Sequence, residues 1–238
     1  MSRATSLEAS HRTARLAVVT LFLNGLFGLV TLGFWLLVAG LLAQGPLSAQ
    51  DAARLGDVIV GFQTVSLLLL LVGGARFLVW ILNAHRCAQD LGAGPLRYDA
   101  WATIFSFFVP IWALVRPYQA LREVSTAVDP GLVLEPAPRP ATTEHVQGYR
   151  EPATVPRPAA RELRRPPLLA WWLVWVSITL FGVASAWMTS SWTTLVAAGV
   201  VSRLAWVVDA VLAILVVHRI DARLRERAIR SADRVPPA

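Results

Sequence analysis

Two charged residues, Arg76 and Asp209, stand inside otherwise apolar stretches of this chain, and their pairing is the first chemistry to consider. An ionisable side chain within a membrane-spanning helix costs about 2.5–3.5 kcal/mol on insertion scales and usually faces protein or water. Arg76 lies seven residues before Asn83, and Asp209 nine before His218. At about 1.5 Å per residue these positions are about 10 and 14 Å above the inner ends of their helices, close enough in depth for an ion pair. A proton- or ion-linked site is one use for such a pair. No further acid lines the helices as a relay requires, so the expectation is a structural pair that neutralises two charges and fixes helix register. Arg203, nearer the outer end, is expected to snorkel.

His85 and His218 sit at inner helix ends with Asp90 and Asp221 nearby. A metal or acid–base site can be drawn from the four, but no two histidines share the i,i+3 or i,i+4 spacing that places ligands on one helix. Histidines favoured by C-terminal helix carbonyls and lipid phosphates are the simpler account. Cys87 is the only cysteine, which excludes an internal disulfide and a multi-thiolate site. Nothing has the form of a nucleotide loop, a nucleophile elbow or a catalytic triad. No catalytic residue, bound metal or cofactor is therefore expected.

The elements that must position these residues are apolar helices. Of 238 residues, 55% are hydrophobic and 16% charged, whereas soluble domains carry about 25% charged residues. The apolar excess falls in Leu16–Ala43, Val58–Ala84 (interrupted by Arg76), Leu168–Thr189 and Ala197–Val217. Each reaches the ~20 residues that a helix needs to cross a bilayer, and helix is the form that satisfies the backbone there. Leu16–Ala43 is too long for the ~7–15-residue core of a cleaved signal and reads as a retained span. A fifth segment, Trp101–Val115, is shorter and holds Pro110, as a re-entrant or interfacial piece does.

Arginine placement sets the number of crossings. With four spans, nineteen of the 22 arginines lie on the inner side, as the positive-inside rule demands. A crossing by Trp101–Val115 would turn fourteen of them outward. The reading is all-α: a four-helix transmembrane bundle with a cytoplasmic re-entrant or interfacial helix pair, in the plasma membrane, both termini cytoplasmic. Residues 1–15 form an N-terminal cytoplasmic segment, 16–128 the first two spans with the helix pair, 129–167 a linker, 168–218 the last two spans and 219–238 a basic tail. The net charge of +7 follows from arginines flanking spans, with no motif for a nucleic-acid groove. The linker holds nine of the fifteen prolines and few large apolar residues, a composition of disorder. In the tail, Asp221/Arg225 and Glu226/Arg230 have i,i+4 spacing and extend the last helix.

The most distinctive stretch runs from Phe77 to Glu123. Trp80 precedes His85-Arg86 at the end of the second span; then come Trp101, Phe107-Phe108-Val109-Pro110, Arg116-Pro117-Tyr118-Gln119 and Arg122-Glu123. Trp101, Phe105, Phe108 and Trp112 recur at helical spacing on one face. Pro110 bends that helix, and Pro117 suits the first turn of another, whose Tyr118, Leu121, Val124 and Val128 form an apolar face.

These motifs, with Trp171-Trp172 opening the third span, resemble the bacterial membrane family called domain of unknown function 4328, over roughly residues 58–227. The resemblance implies a multi-helix integral membrane protein and brings with it no activity or catalytic residue. The expected role is a non-enzymatic envelope scaffold or interaction protein. Its inner face would engage anionic lipid head groups of the bilayer, or a protein partner or second copy, and no nucleic acid. The alternative is a small transporter or channel component using Arg76 and Asp209. Gly182-x-x-x-Ala186 and Ala198-x-x-x-Ser202 are expected to allow close helix approach. Trp171, Trp172, Trp175, Trp187 and Trp192 are expected to form interfacial belts.

Overall fold

The computed structural model describes residues 3–92, 96–97, 99–107, 109, 112, 115–129, 166–188 and 191–232. Six helices account for almost all of them: α1 (Arg3–Gln44), α2 (Ala49–Asp90), α3 (Ala100–Ser106), α4 (Arg116–Ala127), α5 (Pro166–Met188) and α6 (Trp192–Ala232). Among the described residues there is no strand. Four helices, α1, α2, α5 and α6, are long and apolar enough to cross a membrane. α1 and α2 have 42 residues each. Helices of that length run to about twice the hydrocarbon thickness of a bilayer, so both project well beyond it.

Local chemistry fixes the helix ends. Gly45, with a positive φ, breaks the chain after α1. Ser48 caps α2 by accepting from Asp51 N at 3.1 Å, as N-cap hydroxyls do. Gly92, also at positive φ, takes the left-handed conformation that closes α2. Its N–H donates to Gln89 O at 2.9 Å. Asp99 Oδ2 caps α3 by accepting from Trp101 N and Ala102 N. Pro117 stands in the first turn of α4, as its fixed φ suits. α3 stops at Ser106, short of Pro110 rather than bent at it, because the break begins at Phe107. Phe108, Pro110 and the proline-rich stretch 130–165 lie outside the described residues.

From Arg3 onward the N-terminal residues are helical and continuous with the first span. Ser6, Ser10, Ala14 and Ala17 are all buried. Their spacing of three to four makes a stripe of small side chains along one face. That stripe lets α1 run close to its neighbours: Ala14 and Ala17 share a cluster with Ala84 and Cys87 of α2 and with Val217, Ile220 and Leu224 of α6. α1 also packs along α2, whereas α2 and α6 barely meet: α1 stands between them. α5 packs along α6 and α4 and reaches α2 only through side chains.

The core is in two parts. The larger surrounds Trp80, Ile81, Leu121, Trp171, Val217 and Leu224 at the end where α3 and α4 lie, here the platform end. The smaller, Trp35, Val38, Ile59 and Val196, lies at the far end. Close helix approach depends on glycines other than the expected ones. A Cβ at Gly199 would sit 2.5 Å from Trp35, one at Gly73 2.6 Å from the Asn24 amide and one at Gly28 3.0 Å from Val207, whereas Gly182 faces open space.

Candidate functional site

The platform is assembled from helix ends. α4 buries Pro117, Ala120, Leu121, Val124 and Ser125 against the bundle, the apolar face its sequence presents, with Val128 buried just beyond. Tyr118 lies against Trp172 with ring centroids 5.2 Å apart, and Phe107 meets Trp175 edge-on at 6.2 Å. Trp171 is buried beside Phe77, centroids 5.6 Å apart, and Phe77 also contacts Trp80. Trp171, Trp172 and Trp175 therefore join α5 to α2 and the platform instead of all forming a lipid-facing belt; Trp187, the fourth tryptophan of α5, and Trp192 are exposed at the far end.

The extension of α6 ties the platform down through residues that carry no motif in the sequence. Arg227 donates to the carbonyls of Leu91 and Gly92, at the end of α2, and to that of Ala127, at the end of α4. Helix C-termini leave carbonyls without intrahelical partners, and a guanidinium can satisfy several at once while complementing the helix dipoles. Arg223 Nη1 donates to Ser125 O and Oγ, each at 3.0 Å. Asp221, buried, joins α6 to α1 through His11 Nδ1 at 3.0 Å, and also pairs with Arg225 at the expected i,i+4 spacing, as Glu226 does with Arg230.

α3 shows the opposite of ordinary burial. Its bundle-facing residues are Thr103 and Ser106, 2% and 1% exposed, while Trp101 and Phe105 are 53% and 65% exposed, and Trp112, beyond its end, is 50% exposed. The two hydroxyls satisfy themselves on their own helix, Thr103 Oγ1 donating to Asp99 O and Ser106 Oγ to Thr103 O. They can therefore pack as small, nearly apolar groups without stranding a donor. Arg116 lies over the Trp112 ring, 4.2 Å from its centroid, a cation–π contact. Glu123, on α4, accepts from the backbone N–H of Arg97. Arg86, Gln119 and Arg122 are exposed around this surface.

His85 is buried at the junction of α2 with the platform, and neither ring nitrogen has a hydrogen-bond partner. It does not join His218, which is exposed on α6, or Asp221, which is engaged by His11 and Arg225. No group of three potential metal ligands occurs among the described residues.

The intramembrane ion pair does not form. Arg76 is exposed on α2; Asp209 is buried on α6 with Oδ1 unpartnered, and no salt bridge links them. The two lie at similar depth, but α1 stands between α2 and α6 and the Arg76 side chain faces outward. Nor does Arg203 snorkel. Its Nη1 donates to Ser66 Oγ on α2 at 3.1 Å.

A comparison with known families completes the description. The model of the family described as Domain of unknown function (DUF4328) matches residues 44–222, most of the chain and all of α2, α3, α4 and α5, but not Arg223, Arg225 and Arg227 in the extension of α6. The chain belongs to this family. No curated protein and no solved structure matches it. Within the DUF4328 span fall all the motif residues named from the sequence, and the structure divides those it describes by place. Trp80, His85, Pro117 and Trp171 are buried, Tyr118 and Trp172 stack on each other, and Trp101 is exposed. With four apolar helices of spanning length, this is a membrane protein.

Proposed function

We propose that this DUF4328 protein is a non-enzymatic membrane scaffold whose platform lies at the cytoplasmic head-group level and engages anionic lipid. The observation that carries the reading is the reversed burial of α3, with hydroxyls packed inward and Trp101 and Phe105 turned outward, and with Trp112 exposed beyond its end. Exposed aromatic side chains beside arginines are what an interfacial helix needs, the rings at the acyl boundary and the guanidinium groups among phosphates. The orientation rests on the concentration of arginines on the platform side of the spans, the side that faces the cytoplasm in membrane proteins. Among the described residues no arrangement of nucleophile, base and oxyanion donors supports a catalytic role. The transport alternative built on Arg76 and Asp209 has lost its geometric basis, since the two residues do not pair.

The test is a depth measurement on the full chain reconstituted in bilayers containing anionic lipid. Spin labels on Trp101→Cys and Phe105→Cys should report shallow acyl-boundary depth with high oxygen accessibility, and a label on Thr103→Cys should be protected from oxygen and from a water-soluble relaxant. Labels at 101 and 105 that see only the water-soluble relaxant would replace lipid with a protein partner as the ligand of this face. Depth increasing steadily along 101–112 would mean that the segment crosses.

A further inference from the structure

Between the two apolar clusters, α1, α2 and α6 meet through polar side chains. Asn24 of α1, Ser66 of α2 and Arg203 of α6 line a half-open cavity of about 170 Å³ whose remaining walls include Phe27, Leu70 and Trp206. Arg203 is eleven residues into α6 from Trp192. That is about 16 Å along the axis from the start of the helix, within the apolar stretch Ala197–Val217. A guanidinium this deep needs compensation, and a single hydrogen bond to a hydroxyl leaves its charge uncancelled. Among the described residues no carboxylate forms a salt bridge with Arg203. Asp209, six residues further along α6, is buried and forms none either.

Donors outnumber acceptors in the hydrogen-bonding inventory of the cavity, where Asn24 Oδ1 is the uncommitted acceptor among the described residues. Arg203 spends one donor on Ser66 and has others left, since a guanidinium carries about five. Ser66 Oγ accepts from Arg203 and makes no other hydrogen bond among the described residues, so its own proton is available. Trp206 stands in the wall and brings an indole N–H, a group that can only donate. Asn24 spends its amide protons elsewhere, on Thr20 O at 2.9 Å and Leu69 O at 3.0 Å, and thereby fixes the cavity floor. Free donors around an uncompensated cation select an anion. The guanidinium fork matches the paired oxygens of a carboxylate, and the apolar walls can take a hydrocarbon substituent. The volume falls below the ~300 Å³ lower end of ordinary ligand pockets, so the occupant is small.

We propose that the Arg203–Ser66–Trp206 cavity is a binding site for a small monocarboxylate bearing an apolar group. This site is independent of the platform reading and stands or falls separately from it. The test uses the purified full chain in detergent micelles, with benzoate as probe, neutral benzamide as its isostere and chloride at matched ionic strength. Benzoate should raise the unfolding temperature saturably, benzamide and chloride should not, and Arg203→Gln should weaken benzoate binding at least tenfold. Arg203→Lys keeps the charge without the fork and should weaken it several-fold. Ser66→Ala, which retains the guanidinium and guards against a misfolded Arg203 variant, should cost a few-fold. Equal shifts with benzoate and benzamide, no shift with benzoate, or full retention in folded Arg203→Gln would each overturn the site. Equal protection by chloride would overturn its assignment to a carboxylate.

Discussion

Nδ1 of His11 lies 3.0 Å from Oδ2 of Asp221, joining positions 210 residues apart in the chain. The contact ties the first turns of α1 to the extension of α6, beyond the apolar stretches of both. Asp221 is buried and also pairs with Arg225, which is itself half exposed and can return to water when the carboxylate is lost. Asp221→Ala should therefore destabilise by about 1–3 kcal/mol. His11→Ala should cost less. Unfolding of the single and double variants in detergent should give a coupling of at least ~0.5 kcal/mol; strictly additive losses would show that the contact has no energetic weight.

Arg227 closes two helices with one side chain, donating to carbonyls at the ends of α2 and α4. Arg227→Ala leaves those acceptors to find water and should cost about 1–3 kcal/mol. Amide exchange should quicken along α4 more than along α1. A uniform change across the bundle would contradict this assignment.

Gly199 and Gly182 should respond oppositely to the same substitution. A methyl at 199 meets the Trp35 ring at 2.5 Å, whereas one at 182 meets nothing within 4 Å. Gly199→Ala should destabilise by about 1–3 kcal/mol through overpacking. Gly182→Ala should be neutral or stabilise by up to ~1 kcal/mol through helix propensity. Thermal unfolding of the two variants side by side decides the point.

Arg76 and Asp209 should behave as strangers in a double-mutant cycle, one being exposed and the other buried. The losses from Arg76→Leu and Asp209→Leu should add within about 0.5 kcal/mol, as they do for residues that share no contact. An interaction energy above about 1 kcal/mol would show that they meet in the folded protein after all.

The spans are legible in the chain because length and hydropathy suffice to define them, and α4 because Pro117 and the Leu121–Val124–Val128 face are local signals. Contacts around the helix axis are not. Only depth matches Arg76 with Asp209, and that one-dimensional coordinate says nothing about which helix stands between them. Arg227 reads as one more basic residue, since its acceptors lie 100 or more positions away and are backbone carbonyls without sequence identity. The stripe of Ser6, Ser10, Ala14 and Ala17 is visible in principle as small residues at helical spacing. Its polar serines conceal it beside the louder apolar run that follows. Arg203 looks like a side chain that reaches for the surface, as long basic residues do, and its hydroxyl partner on another helix has no signature in the chain.

The position of α1 between α2 and α6 has a consequence for biogenesis. Its two faces are completed at different times, one when α2 emerges and the other only after α6 has been made. Until then the Gly25–Gly28 surface remains without the neighbour it is shaped for. A chain halted after α5 would thus display an unfilled seam on its first helix, a mark by which membrane quality control could tell an unfinished molecule from a finished one.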